Sequence, residues 1–509
     1  MPRVAAARPR HAEIARVLHE VLSGRRLTRL EFAHELPKLQ DQLLDAQFEL
    51  RKSRARAVAV IVTGIPGAGR SEVVNELLGW LDPKFVTVYG FRAPNDVERE
   101  RPPLWRYWRV MPPKGRIVIL HAGWYAEFLD ASARTRDRAA AAVRSDVDRI
   151  RRLERMLVAD AVAVVKLHLH IGPQLQRRRI RRLENDKTTR WRVTDEDRWY
   201  VRHYAHVERA FEHCLEATEQ PCAPWQLVDG TDRQHRALEV GKALLAGIEG
   251  RLVPCKGKPA LPPAATLRRR AARLRMPTSM RSERVAEEDY DRQLEDLQGR
   301  LALLSRRRRF AKHSVVVALE GMDAAGKGGA IRRITAALDA RQYRVVPISA
   351  PSPEELARPY LWRFWFQLPP RGNYTVFDRS WYGRVLVERV RGLAARPDWQ
   401  RAYDEINEFE LELAEHGTVL AKFWLSVSLD EQAARFAERS RNALKRFKVD
   451  PEDLQNREQW HAYQEAARDM IALTDTRHAP WTVIPADDKR RARLEVLRAL
   501  CARIEAGLG

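Results

Sequence analysis

Short apolar runs alternate with longer, charged, amphipathic segments along the chain. The runs SVVVALE (314–320), YRVVPIS (343–349), NYTVFD (373–378) and VLAKFWLSVS (419–428) are near-continuously hydrophobic and rich in β-branched and aromatic residues. Such runs predict strands buried on both faces, and the amphipathic segments between them predict crossover helices. The fold class expected is therefore α/β, with a parallel sheet flanked by helices. After about residue 286, Leu294, Leu297, Leu301 and Leu304 recur at three- and four-residue spacing, which predicts one buried helical face. Leu36, Leu39 and Leu43 repeat that pattern near the start of the chain.

The same pattern is written twice. VAVIVTGIPGAGRSEVVNELL reappears as VVVALEGMDAAGKGGAIRRIT, so that Gly64 pairs with Gly321 at an offset of 257. LWRYWRVMPPKGRIVILHAGWY matches LWRFWFQLPPRGNYTVFDRSWY at the same offset, pairing Trp105 with Trp362, Pro112 with Pro369 and Trp124 with Trp381. Towards the repeat ends the offset slips to 256, where Ala223-Pro224-Trp225 pairs with Ala479-Pro480-Trp481. A period this long gives each copy its own core rather than a solenoid. The expected organisation is one copy over 1–250, a linker over 251–285 and a second copy over 286–509. The linker carries Pro254, Pro259, Pro262, Pro263 and Pro277 and the run Arg268-Arg269-Arg270.

Composition narrows the partners. The 509 residues hold 91 Lys+Arg against 68 Asp+Glu, a formal charge of +23, which points to a polyanion: nucleic acid, an anionic membrane or a phosphate polymer. The alternative is a solvated, arginine-loaded surface. No apolar run is long enough to span a bilayer, and the N-terminus lacks the apolar stretch of a secretory signal, so a cytoplasmic location is expected. Cys214, Cys222, Cys255 and Cys501 form no CxxC pair and are expected to be structural thiols, without zinc or a disulfide framework.

The candidate chemistry lies in the second copy. Strand 314–320 leads into Gly321-Met322-Asp323-Ala324-Ala325-Gly326-Lys327-Gly328-Gly329, the GxxxxGK spacing of a phosphate loop, with a helix expected from about Ala330. Glycines let several backbone N–H groups converge on one anion, the helix N-terminus adds its positive end, and Lys327 is placed to reach terminal phosphates. Phosphate loops usually follow the lysine with Ser or Thr as a Mg²⁺ ligand; here Gly328 stands instead. Asp323 is the replacement candidate, the alternative being that it only stabilises the turn. Asp378 closes the strand 374–377 in the position of a Walker-B acid and is the second metal candidate. Arg379 and Arg384 suit developing phosphoryl charge, or else serve structural ion pairs such as Arg384 with Glu388. A basic segment with Arg435, Arg439, Lys445 and Lys448 reads either as a lid over phosphates or as a solvated face.

At the equivalent positions the first copy has Arg70 for Lys327, Pro66 for Asp323, His121 for Asp378, Ala122 for Arg379 and Glu127 for Arg384. Both candidate metal carboxylates are gone, so this copy is expected to be inactive, although Gly64, Gly67 and Gly69 leave room for an anion. His168 and His170 match Trp424 and Ser426 and are read as fold residues.

The motifs GMDAAGKGG, PYLWRFWFQLPPRG, FDRSWYGRVLVERV and APWTVIPADDKRRAR together resemble the family-2 polyphosphate kinases over nearly all of 290–500, and the tandem arrangement resembles the two-domain branch. The resemblance implies a thymidylate-kinase-like P-loop fold, Mg²⁺ dependence, and phosphorylation of AMP to ADP by inorganic polyphosphate. It places Asp323, Lys327, Asp378, Arg379 and Arg384 on catalytic positions. Gly321, Ala324, Ala325, Gly326, Gly328, Gly329, Arg435, Arg439, Lys445 and Lys448 fall on phosphate-binding ones. The lid segment Asn442–Lys448 departs from the family pattern DPxKxWK. The alternatives are polyphosphate-dependent phosphorylation of ADP or GDP, an NTP-dependent kinase, and a nucleic-acid-binding ATPase. No recognised nucleic-acid motif supports the last of these. A homo-oligomer without nucleic-acid or membrane partners is expected.

Overall fold

The computed structural model describes residues 22, 24–135, 140–251, 284–441 and 459–509. Most of the expected linker, together with Lys445 and Lys448, lies outside the described residues. Two compact units follow the two halves, except that Ser352–Trp362 is grouped with the first unit and Asn95–Trp105 with the second.

The first unit opens with helix α1 (Arg29–Ser53), started by a capping box in which Thr28 and Glu31 satisfy each other's backbone N–H. Leu39, Leu43 and Leu50 are its buried stripe. Strand β1 (Ala57–Gly64) is buried at every position, as its unbroken apolar run requires. The rest of the unit comprises α2 (Arg70–Trp80), β2 (Val86–Gly90), β3 (Ile117–His121), α3 (Ala140–Ala159), β4 (Val162–His170), α4 (Pro173–Asn185), α5 (Tyr204–Thr218), β5 (Trp225–Asp229) and α6 (Arg233–Glu249). The sheet is all parallel, in the order β2-β3-β1-β4-β5.

The second unit repeats this plan: α7 (Glu287–Ser305), β6 (Ser314–Gly321), α8 (Lys327–Thr335), β7 (Tyr343–Pro347), β8 (Tyr374–Asp378), α9 (Arg396–Glu415), β9 (Thr418–Ser426), α10 (Leu429–Arg441), α11 (Trp460–Thr474), β10 (Trp481–Pro485) and α12 (Lys489–Leu508). Its parallel sheet runs β7-β8-β6-β9-β10. Leu297, Leu301 and Leu304 of α7 are buried as their spacing predicted, against α12. Helix α8 begins at Lys327 rather than near Ala330, because Gly326, in the left-handed region, ends the loop three residues earlier than the glycine-rich sequence suggested.

In both units the first strand sits centrally, with the third on one side and the fourth on the other. Such a strand-order reversal opens a crevice at the carboxyl ends of the strands. Register fixes what stands there: Leu319 lies opposite Asp378, and Gly321 opposite Leu425.

Each core contains a buried lysine. Lys422 donates to Glu410 Oε2 (2.8 Å), to the Tyr382 hydroxyl (2.9 Å) and to the Thr474 carbonyl (2.7 Å), while Trp381 Nε1 donates to Glu410 Oε1 (3.0 Å). Lys166, Glu154, Tyr125, Thr218 and Trp124 form the same network in the first unit. Burial lowers the Lys422 pKa, and the adjacent Glu410 carboxylate opposes that shift. The paired Trp-Tyr motifs are therefore core, as their recurrence in both halves indicated. Cys214 and Cys501 are free and buried, but Cys222 is disulfide-bonded, contrary to the expectation of four thiols. Sequence spacing carries no signal for pairing between cysteines brought near only by the fold.

Candidate active site

The phosphate loop joins β6 to α8. Gly321 adopts φ +146°, and a Cβ there would stand 2.4 Å from the Leu425 carbonyl oxygen, so strand β9 passes too close for any side chain. Ala324 (φ 60°) and Gly326 (φ 108°) are left-handed, which curls the loop. In the first turn of α8 the Gly329 and Ala330 N–H groups donate to the Gly326 carbonyl (3.0 and 3.2 Å), and the positive end of the helix lies at the loop. Beside Gly326 a Cβ would meet nothing within 4 Å, so the loop opens onto a cavity of about 610 Å³.

Gly326, Gly328, Gly329, Ala324 and Ala325 line this cavity, as do Asp323, Lys327, Asp378, Arg379, Arg435 and Arg439. Its lining carries eight basic side chains against three acidic ones, a field that favours a polyanion. Lys327 Nζ donates to the carbonyls of Gly321 (2.8 Å) and Met322 (3.3 Å), which holds the ammonium over the loop. Arg379 Nη2 donates to Asp323 Oδ1 (2.8 Å). Arg379 is itself left-handed at φ 64°, as is its counterpart Ala122 at 61°, so the turn after the Walker-B strand is a shared backbone feature. Burial lowers the Arg379 pKa, but Asp323, Tyr463, Glu320 and Asp378 outweigh it and the net shift is upward.

Three predicted residues stand apart from the others, the first being Gly321, which does not line this cavity. Arg384 does not line the cavity; its Nε lies 2.9 Å from Glu388 Oε2, the ion pair considered as its alternative. Arg435 lines the cavity but is only 2% exposed, and all five of its N–H groups are engaged. Nη1 donates to the carbonyls of Ala324 (2.9 Å) and Ala325 (3.2 Å), Nη2 to those of Ala486 (2.6 Å) and Asp487 (2.9 Å), and Nε to Glu431 Oε1 (2.7 Å). It ties α10 to the phosphate loop, with its N–H groups spent on protein acceptors.

Several functional candidates escaped the sequence reading. Glu320 is buried directly before Gly321 and accepts from Ser380 Oγ (2.8 Å). Burial raises its pKa, opposed by the Ser380 hydrogen bond and by Lys327 and Arg379. Arg332 and Arg333 on α8, and Lys489 and Arg493 on α12, complete the basic lining. The i, i+4 spacing of Lys489 and Arg493 within DDKRRAR was the available signal for one helix face. Asp323 and Asp378 line one cavity beside the loop. Mg²⁺ is commonly held by one or two carboxylates plus phosphate oxygens and water, so this pair fits it. Among the described residues there is no cluster of three or more His, Cys, Asp and Glu that could hold a metal without substrate.

In the first unit the corresponding loop is filled. Gly64, Gly67 and Gly69 keep positive φ, but the guanidinium of Arg236 lies where a Cβ on Gly69 would be, with Nη1 only 1.9 Å from it. Arg236 is held there by the Ala68 carbonyl (2.9 Å) and Glu72 Oε2 (2.6 Å). Its counterpart at offset 256 is Ala492, which lines the open cavity of the second unit. A guanidinium from α6 thus stands against Gly69, where the second unit has open space beside Gly326. His121 lies beside Arg70, and burial first and that arginine second lower its pKa to about 4. His168 and His170 are buried and stacked at 6.0 Å, and Thr63 Oγ1 lies 3.2 Å from His168 Nδ1, in keeping with packing roles.

A GxxxxGK loop, an aspartate at the end of a buried strand and a basic cavity at the switch point of a parallel sheet are the arrangement expected of a P-loop phosphotransferase. The polyphosphate kinase 2 (PPK2) family model matches residues 26–255 and again 284–507, and the chain belongs to that family. It is 43% identical over 470 residues to the polyphosphate:AMP phosphotransferase of Pseudomonas aeruginosa, covering 92% of this chain and 95% of that one. It is also 43% identical over 216 residues to the ADP-polyphosphate phosphotransferase 2 of Rhizobium meliloti, covering 42% of this chain and 71% of the relative. A crystal structure assigned to polyphosphate kinase 2 from Pseudomonas aeruginosa superposes with a TM-score of 0.85 at 40% identity, covering 96% of this chain and 99% of that one. No helix among the described residues is long and apolar enough to cross a membrane.

Proposed function

We propose that this chain transfers the terminal phosphoryl group of inorganic polyphosphate to AMP, giving ADP, with Mg²⁺, and that residues 286–509 perform the chemistry while residues 1–250 do not. The observation that carries the reading is the juxtaposition of Lys327, Asp323, Asp378 and Arg379 in one strongly basic cavity at an open phosphate loop. The loop amides and Lys327 would grip the donor's terminal phosphates, and Arg379 would offset charge as the phosphoryl group moves. Phosphoryl transfer needs mainly positioning and electrostatic stabilisation, and this set provides both without a covalent residue. Asp323 and Asp378 would hold Mg²⁺, which would supply positive charge against the phosphates. AMP is preferred as acceptor because the relative matched across both halves is named for it, whereas the relative named for ADP matches 42% of the chain.

The test incubates AMP, ADP, GMP and GDP separately with polyphosphate and Mg²⁺ and resolves the products by chromatography. ADP from AMP is expected, lost in Asp378→Asn and in Lys327→Ala and retained in Arg70→Ala. Product formed only from ADP or GDP would select the second reading. Turnover by Asp378→Asn at the normal rate would remove the assignment of the site. Neither nucleic acid nor a membrane is required by this reaction, and a homo-oligomer is the assembly expected on light scattering.

A further inference from the structure

Helix α4 of the first unit carries Arg177, Arg178, Arg181 and Arg182, all exposed. At 100° per residue they span about 140° of one face, opposite the buried Gln176 and Ile180. With Gln174, Asn185 and Asp186 they border an open surface hollow of about 680 Å³. Arg177 with Arg181, and Arg178 with Arg182, are like-charge i, i+4 pairs that repel one another. None of the four makes a hydrogen bond or ion pair among the described residues. Glu184 accepts from Arg198 Nε (2.7 Å) and Asp186 from the Thr188 N–H (2.8 Å) and Oγ1 (2.7 Å), while the Arg182 charge also acts on Asp186 without a hydrogen bond.

The duplicated chain supplies its own control. At offset 256 the corresponding helix α10 keeps the inward residues: Gln176 matches Gln432 and Arg179 matches Arg435. Arg179 makes the same loop strap, donating to the carbonyls of Gly67 (2.9 Å), Gly230 (3.0 Å) and Thr231 (2.8 Å). The outward residues differ, since Ala433, Ala434, Ala437 and Glu438 stand where the first half has its four arginines. The arginine row is therefore not needed to build this helix, and it occurs in the half whose phosphate loop is filled by Arg236.

We propose that this face of α4 is a docking site for inorganic polyphosphate, holding the polymer by its chain rather than by its reacting end. The identity of the polymer rests on the function proposed above. Guanidinium forks at helical spacing can each take phosphate oxygens of successive units, and the contacts carry no sequence or nucleotide requirement.

The experiment uses the full chain and measures binding of long-chain polyphosphate without AMP or Mg²⁺, over a range of salt. The variant Arg177→Gln/Arg178→Gln/Arg181→Gln/Arg182→Gln is compared with the fourfold lysine replacement, and circular dichroism melting checks that each folds. The glutamine variant is expected to bind at least about tenfold more weakly, with a salt slope of log K shallower by about 3 for four lost contacts at about 0.7 each. The lysine variant should keep most of the affinity. Turnover with tripolyphosphate, which has almost no chain beyond its reacting end, should be unchanged in both. Unaltered affinity and slope in the glutamine variant would overturn the proposal and leave a solvated face. So would displacement of polyphosphate from the wild-type chain by an equal phosphate concentration of single-stranded oligonucleotide, which would assign the face to nucleic acid. Because binding is read without acceptor, failure of AMP phosphorylation would be seen separately.

Discussion

Replacing Arg435 by alanine separates a structural strap from a phosphate ligand. The guanidinium is nearly inaccessible and donates to four backbone carbonyls and to Glu431. Two of those carbonyls, Ala324 and Ala325, belong to the phosphate loop, and two, Ala486 and Asp487, to the segment leading into α12. Hydrogen bonds to a charged group contribute about 1.5–3 kcal/mol each, but a sum over five overstates the loss because water can enter from the adjoining cavity. The cost of removing one partner of a buried charged cluster, about 3–5 kcal/mol, is the better guide. A loss of 3 kcal/mol raises the population of the opened loop by roughly a hundredfold. Hydrogen exchange followed by mass spectrometry on peptides covering 321–330 should therefore accelerate by about two orders of magnitude, and the urea midpoint of the second unit should fall. Arg435→Lys keeps the charge but not the planar fork, and should recover only part of the loss. Arg179→Ala should destabilise the first unit in the same way while leaving phosphoryl transfer unaffected. Unchanged exchange and urea midpoint in Arg435→Ala, with only a raised KM for polyphosphate, would refute the strap and restore the residue to direct phosphate binding.

Three further outcomes are expected. Lys422→Met strands Glu410 in the core and should cost about 3–5 kcal/mol, read by urea denaturation, whereas replacing surface lysines should not. Gly321→Ala should destabilise the second unit more than Gly326→Ala, because its Cβ meets the Leu425 carbonyl at 2.4 Å while that of Gly326 meets nothing within 4 Å; equal urea midpoints for the two would contradict this. His121 takes up its proton near pH 6.5 when unfolded and near 4 when folded. The unfolded state therefore binds more protons in that window, and stability falls as pH drops from 6.5 to 4, by up to about 3 kcal/mol. His121→Phe should flatten that part of the stability–pH curve of the first unit.

Local sequence determined a good deal of this protein. The duplication, the parallel α/β class, the strand–loop–helix context of the GxxxxGK segment and the strand end at Asp378 were legible because each rests on residues adjacent in the chain or spaced by a strand or helix period. The comparison of two copies also identified which motifs are scaffold: Trp381 and Tyr382 recur as Trp124 and Tyr125, and all four are buried. Tertiary structure decided what happens where distant segments meet. Arg236 fills the first loop from 168 residues away, and Arg435 reaches the second loop from more than 100. In a list of cationic residues these two are indistinguishable from Arg439, which lines the cavity, or Arg384, which turns to Glu388. Glu320, Lys489 and Arg493 join the site for the same reason, since burial and charge neighbours are set by packing across the sheet and not by order along the chain. The side chains that carry a charge are written in the sequence; whether a given charge holds the scaffold or faces a phosphate depends on which carbonyls and carboxylates the fold brings within 3 Å of it.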